Sequence, residues 1–258
     1  MLIMDKKFDN LYVYVFDTRD DMGKAAAQEA AAQIRSCIAL KGEANVIFAS
    51  APSQSDMLKS LIEQDIDWQK VRGFYQDEYI GLSLESPAGF GNFLRRHVFD
   101  HKSLLDTHFL ECSHSDVDEK ISEYSALLEK YPPDLIFLGV GENGHLAFNE
   151  PDIADLKDPL RLKVVELDVV SRQQQVNDGC FASLDEVPTH AITLTLSQIM
   201  AVECAIAVVP TKLKENAVDA ALNGPVTTDC PASALRLHPN AKLYLDKCSA
   251  GKGLLNRV

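Results

Sequence analysis

Short apolar runs rich in β-branched residues alternate with longer helix-patterned segments along most of the chain. "LYVYVF" (11–16), "NVIFAS" (45–50), "VRGFYQ" (71–76), "DLIFLGVG" (134–141), "ECAIAVVP" (203–210) and "AKLYLD" (241–246) read as strands. "THFLE" (107–111), "RLKVVEL" (161–167) and "HAITLTL" (190–196) are further candidates. Between them, "DMGKAAAQEAAAQIRSCIAL" (21–40), "SDMLKSLIEQ" (55–64), "SDVDEKISEYSALLEKY" (115–131) and "KLKENAVDAALNG" (212–224) have helical composition.

Strands alternating with helices predict an α/β fold, a Rossmann-like open and mostly parallel sheet with helices on both faces. The nearly unbroken apolar character of "LIFLGV" and "AIAVV" suits strands covered on both sides. With no internal repeat, low-complexity tract or linker-like segment, residues 1–258 are expected to form one domain.

In open parallel sheets, ligands bind beyond the carboxyl ends of the strands. That rule selects four segments: "ASAPSQSD", "QDEY", "GENGHLAFNEP" and "PTKLK". In the third, Gly141 and Gly144 allow close backbone approach, and His145 can exchange a proton near neutral pH. Asn143 and Glu150 are near enough to orient that imidazole; the competing reading is a capped turn with a satisfied histidine. In "QDEY", adjacent side chains on extended chain face opposite ways, so one of Asp77 and Glu78 should enter the cleft as a candidate general base. "ASAPSQSD" is either a capping box, Ser53 with Asp56, or an anion site at a helix N-terminus. Lys212 and Lys214 stand at a helix start, where the dipole disfavours cations, as expected of a lysine facing an anion; plain surface lysines are the alternative.

Composition narrows this only slightly. A net charge of -13 argues against a nucleic-acid partner, while a few local cations can still hold a small anion. Six cysteines lack ligand-like spacing, the start "MLIMDKKFDN" lacks a signal-peptide core, and no apolar stretch is long enough for a membrane span. A cytoplasmic protein with no membrane partner is expected.

"GVGENGHLAFNEP" resembles the signature loop of the glucosamine-6-phosphate deaminase (isomerase) family, within the group that includes 6-phosphogluconolactonases. "QDEYIGL" with "FLRRHVFDH", "VPTHAITLT" and "PASALRLHPNAKLYLD" are similar to other family segments, so the resemblance runs from about residue 45 to 246. It implies ring opening of an amino-hexose 6-phosphate, isomerisation to the ketose phosphate and loss of ammonia, with no metal and no organic cofactor. It further implies that Asp77 moves a proton between C2 and C1. His145 would assist ring opening, supported by Asn143 and Glu150. Ser50, Ser53, Gln54, Gly141, Arg172 and Lys214 would bind substrate and its phosphate. A homo-oligomer is left open. The alternatives are a 6-phosphogluconolactonase-like hydrolase and a non-catalytic sugar-phosphate sensor.

Three positions depart from the family pattern. Asn143 stands where many members have Asp; an amide orients His145 without supplying negative charge. "SAPSQSD" replaces a glycine- and threonine-rich phosphate loop, and Asn177 occupies the place of a second arginine after "SR". The last two departures lie at the phosphate end. The tail "LYLDKCSAGKGLLNRV" lacks the long helix that serves allosteric control in some members, leaving Arg161 and Lys163 as candidate remnants and little such regulation expected.

Overall fold

The computed structural model describes residues 1–83, 85–177 and 179–256, with Val170 and Gln174 described by their backbone alone. A polar hairpin begins the chain: β1 (Leu2–Phe8) and β2 (Leu11–Phe16), paired antiparallel. Then follow α1 (Arg19–Lys41), β3 (Ala44–Phe48), α2 (Ser55–Ile62), β4 (Val71–Tyr75), β5 (Asp77–Tyr79), α3 (Phe90–Leu94), β6 (Asp106–Thr107), α4 (Val117–Lys130) and β7 (Leu135–Leu138). The remainder is β8 (Leu162–Glu166), α5 (Val169–Asn177), β9 (His190–Leu194), α6 (Leu196–Met200), β10 (Cys204–Val209), α7 (Glu215–Asn223), β11 (Ala241–Asp246) and α8 (Lys247–Leu255).

The main sheet has the order β1-β2-β11-β10-β7-β3-β4-β6, and every pairing except β1 with β2 is parallel. Every residue of β3, β4, β7 and β10 is buried, as required of strands covered on both faces. The expected α/β architecture is therefore present. After β3 the chain moves outward to β4; after β7 it moves the other way, to β10 and β11. That reversal between adjacent strands opens a crevice at their carboxyl ends.

Two expected strands are not in this sheet. β8 and β9 pair antiparallel with each other, and β9 with β5, in a separate three-stranded sheet. The apolar stretch around "VRGFYQDEY" therefore divides at Gln76. Its carboxamide donates to the Phe137 carbonyl of the main sheet, while its own carbonyl accepts the Leu194 N–H of the small one at 2.8 Å. Gln76 thus rivets the two sheets together, and the next residue, Asp77, lies at their junction.

Helix α1 is capped by Thr18, whose hydroxyl accepts the Asp21 N–H at 3.1 Å. It ends at Gly42 in the left-handed conformation (φ 87°), with its N–H on the Ile38 carbonyl. Alanines 26, 27, 30 and 31 form its buried side, allowing α1 to pack on β2, β3, β7, β10, β11 and α2. At Gly23 an added Cβ would lie 2.9 Å from the Asp56 backbone, so only glycine permits this approach to the first turn of α2.

Candidate active site

The segments leaving β3, β4, β7 and β10 converge on one cleft of about 530 Å³. Asp77, Gly141, His145, Ser50, Ser53 and Lys214 all border it. Gln54 and Arg172, both expected to bind substrate, do not.

Asp77 opens β5 and pairs with Thr193 of β9. Its side chain borders the cleft yet is largely buried, and among the described residues its carboxylate accepts no hydrogen bond. Burial, reinforced by the neighbouring Glu78 charge, pushes its pKa up to about 8. Such a carboxyl is close to balance between acid and base at neutral pH, the condition a proton-transfer group needs.

Glu78 faces the other way, as alternation along extended chain requires. Its carboxylate accepts the N–H groups of Tyr79 (3.0 Å), Phe90 (3.1 Å) and Gly91 (2.8 Å). Burial still carries its pKa up to about 7 against those three donors. Glu78 therefore fastens the start of α3, whose Phe90 borders the cleft and stacks on Phe148 with ring centroids 5.8 Å apart.

The loop after β7 turns sharply. Gly144 has φ 88°, and its carbonyl accepts the Ala232 N–H at 2.8 Å. A Cβ at Gly141 would overlap the His145 ring, so that glycine makes room for the imidazole rather than for a turn. His145 Nδ1 lies 2.9 Å from Asn143 Oδ1 and 2.8 Å from Glu150 Oε1. Both neighbours are acceptors, which assigns the proton to Nδ1 and leaves the Nε2 lone pair for a ligand. The orientation of the Asn143 amide follows from its partners: Nδ2 donates to Glu150 Oε2, and Oδ1 also accepts the His145 N–H at 3.1 Å. Ser171, from α5, completes the set by donating to Glu150 Oε1 at 2.5 Å. Burial alone would raise Glu150, but the bonds from His145, Ser171 and Asn143 outweigh it and hold the carboxyl below its ordinary value.

At the other end, Ser50 places a buried hydroxyl at the cleft wall with no hydrogen-bond partner among the described residues. Ser53 is half-buried, and its hydroxyl accepts from Gln54 Nε2 at 3.0 Å. Gln54 itself is fully buried, and Nε2 also reaches the carbonyls of Leu138 (3.3 Å) and Val208 (3.2 Å). It ties β7 to β10 beneath the cleft without bordering it. Arg172 is engaged with backbone: Nη2 donates to the carbonyls of Leu184 (2.7 Å) and Val187 (2.9 Å), and Nε also reaches Val187. A guanidinium so engaged secures the turn at 184–187. Arg161 and Lys163 are similarly occupied, with Gln198 and with Asp158 and the Ile153 carbonyl.

Comparison with known proteins adds to this geometry. The model of the glucosamine-6-phosphate isomerases/6-phosphogluconolactonase family matches residues 17–244. The chain belongs to this family. A glucosamine-6-phosphate deaminase of Lactobacillus delbrueckii subsp. bulgaricus is 30% identical over 210 residues, covering 81% of this chain and 88% of that one. A solved structure of a monomeric glucosamine-6-phosphate deaminase superposes with a TM-score of 0.84 at 27% identity, covering 94% of this chain and 99% of the other. A 6-phosphogluconolactonase from Trypanosoma brucei shares the fold at a TM-score of 0.76 and 17% identity, over 96% of this chain and 98% of that one.

Within this family frame, Ser171, Glu78 and Arg19 are residues of the site that the sequence did not single out for these tasks. Ser171 precedes Arg172 in the "SR" pair, and the segment drew notice through the arginine alone. Glu78 carried a signal, since one carboxylate of "DEY" had to face inward. Arg19 lies 31 residues before Ser50, and only the α1–α2 contact brings it to the cleft.

Proposed function

We propose that the protein converts an amino-hexose 6-phosphate, glucosamine 6-phosphate or its galactosamine counterpart, to the ketose phosphate and ammonia. The observation that carries this reading is the pairing, in one cleft, of a buried carboxyl poised near neutrality with an imidazole whose Nδ1 proton is fixed. His145 Nε2 takes the proton of the anomeric hydroxyl and passes it to the ring oxygen as the C1–O5 bond breaks. Asp77 then removes the C2 proton, the C–H electrons form a C1–C2 double bond, and the aldehyde oxygen is protonated. Return of the proton from Asp77 to C1 moves the double bond to C2–N. Water adds to that imine and ammonia leaves, so the balance is aldose plus water to ketose plus ammonia. A well-placed general acid or base is worth typically ~10² to 10⁴ in rate.

Every group in this scheme comes from one chain, so a monomer suffices. In this reading residues 1–258 act as one catalytic unit. All six cysteines are free thiols, as a reducing compartment keeps them, and the reading places the enzyme in the cytoplasm. None of the described helices is long and apolar enough to cross a membrane.

Ammonia release assayed over a panel of amino-hexose 6-phosphates and 6-phosphogluconolactone tests the proposal. Release from an amino sugar with no lactone hydrolysis is expected. Lactone hydrolysis without ammonia release overturns it.

A further inference from the structure

We infer that Arg19 is the arginine that grips the substrate phosphate, and that Asp56 competes with the phosphate for it. This rests on the sugar-phosphate reading of the cleft.

Arg19 is the first residue of α1, and the glycine contact at Gly23 sets that helix against the first turn of α2. The guanidinium therefore reaches the "SAPSQSD" segment. Nη2 donates to the Pro52 carbonyl at 2.5 Å, and Nε pairs with Asp56 Oδ2. Nη1 makes no hydrogen bond among the described residues, and Arg19 borders the cleft with Ser50, Ser53 and Lys214. The side chain is 35% exposed, so it meets a ligand without first leaving a buried position.

One feature marks this corner as prepared for an anion. The Ser50 hydroxyl is buried and unpartnered at the cleft wall, an expensive state unless a ligand satisfies it. Arg172 is committed to backbone carbonyls, which leaves the corner without that guanidinium. Arginine presents several N–H donors in one plane and matches phosphate in a way a lysine cannot. Of the two guanidiniums bordering the cleft, Arg19 is the one bonded to the Ser50–Ser53 segment, through the Pro52 carbonyl, whereas Arg96 is bonded to Pro87.

Asp56 turns this contact into a competition. In the empty protein it neutralises Arg19, and its charge opposes a dianion approaching the same group. Phosphate binding then trades an arginine–carboxylate pair for an arginine–phosphate one. Specificity follows: a neutral sugar alcohol in place of the phosphate gains nothing from Arg19 that Asp56 does not already supply.

The test uses inorganic phosphate as the probe, with binding measured calorimetrically on the full chain and thermal melts run alongside. Arg19→Gln is expected to weaken phosphate binding about tenfold or more, in line with a charge-assisted bond. Arg19→Lys should fall between it and wild type. Asp56→Asn should tighten binding, because it removes the competitor while leaving the arginine. If Arg19→Gln melts early, Asp56→Asn still decides the matter. Phosphate affinity unchanged in Arg19→Gln, weakened in Asp56→Asn, or undetectable in wild type overturns the inference. Failure of the functional reading looks different: ammonia release is absent while phosphate binding remains dependent on Arg19.

Discussion

Glu150 Oε1 lies 2.8 Å from His145 Nδ1, and Asn143 bridges the same two side chains, accepting from the imidazole with Oδ1 and donating to the carboxylate with Nδ2. The three groups form a closed ring of hydrogen bonds in which each donor has an acceptor. Its effect is to fix one tautomer and present Nε2 to the cleft. Glu150→Gln keeps an acceptor for Nδ1 but removes the charge that balances an imidazolium during ring opening. Steady-state kinetics should show kcat reduced roughly 10²-fold with KM little altered.

Asn143→Asp tests the ring from the other side. The new carboxylate would sit against Glu150 where Nδ2 now donates, so the pair must share a proton or draw one onto His145. The pH–rate profile of the variant should be displaced to higher pH. A profile superimposable on wild type would show that the ring does not govern the imidazole.

Gly141→Ala should separate fold from function. A methyl group there overlaps the His145 ring, while the backbone accepts an alanine because Gly141 does not have a positive φ. The imidazole must rotate away from Asn143 and Glu150. The expected outcome is a melting temperature close to wild type with kcat lower by about 10²; retention of activity would mean the ring position is unimportant.

Asp77 links catalysis to stability. Its folded pKa, about 8, lies above the ordinary 3.8, so the folded state holds a proton that the unfolded chain releases. Stability is therefore greatest below about pH 4 for this group and declines as pH rises towards 8. Asp77→Asn cannot ionise and escapes that decline. Melts of the two proteins should agree near pH 4 and diverge with increasing pH, the variant being more stable at pH 8 by a few kcal/mol. A wild type as stable as the variant at pH 8 would show that Asp77 is not held neutral by burial.

The sheet was legible where burial writes an unbroken apolar run, as in β3, β7 and β10. β1 left no such mark, because "LIMDKKF" is exposed at most positions along an edge. β8 and β9 were visible as strands but not as a second sheet, since periodicity reports burial and not the identity of the pairing partner. Much the same divides the site. Asp77, His145, Asn143 and Glu150 lie within two short segments at strand ends, where chemistry and position coincide in the sequence. Gln54 and Arg172 do not border the cleft, and their side chains satisfy carbonyls of β7, β10 and the 184–187 turn, distant partners that residue type does not reveal. Arg19 was hidden for the converse reason: an ordinary first residue of a helix becomes part of the cleft only through the contact at Gly23.

In the proposed mechanism Asp77 carries a proton between adjacent carbons of the sugar. Turnover of glucosamine 6-phosphate carrying deuterium at C2, followed by NMR of the ketose phosphate at C1, tests this role. The wild-type protein should place deuterium at C1, and Asp77→Asn should form ketose ~10² to 10⁴ more slowly. Undiminished ketose formation and C1 labelling in Asp77→Asn would contradict the account.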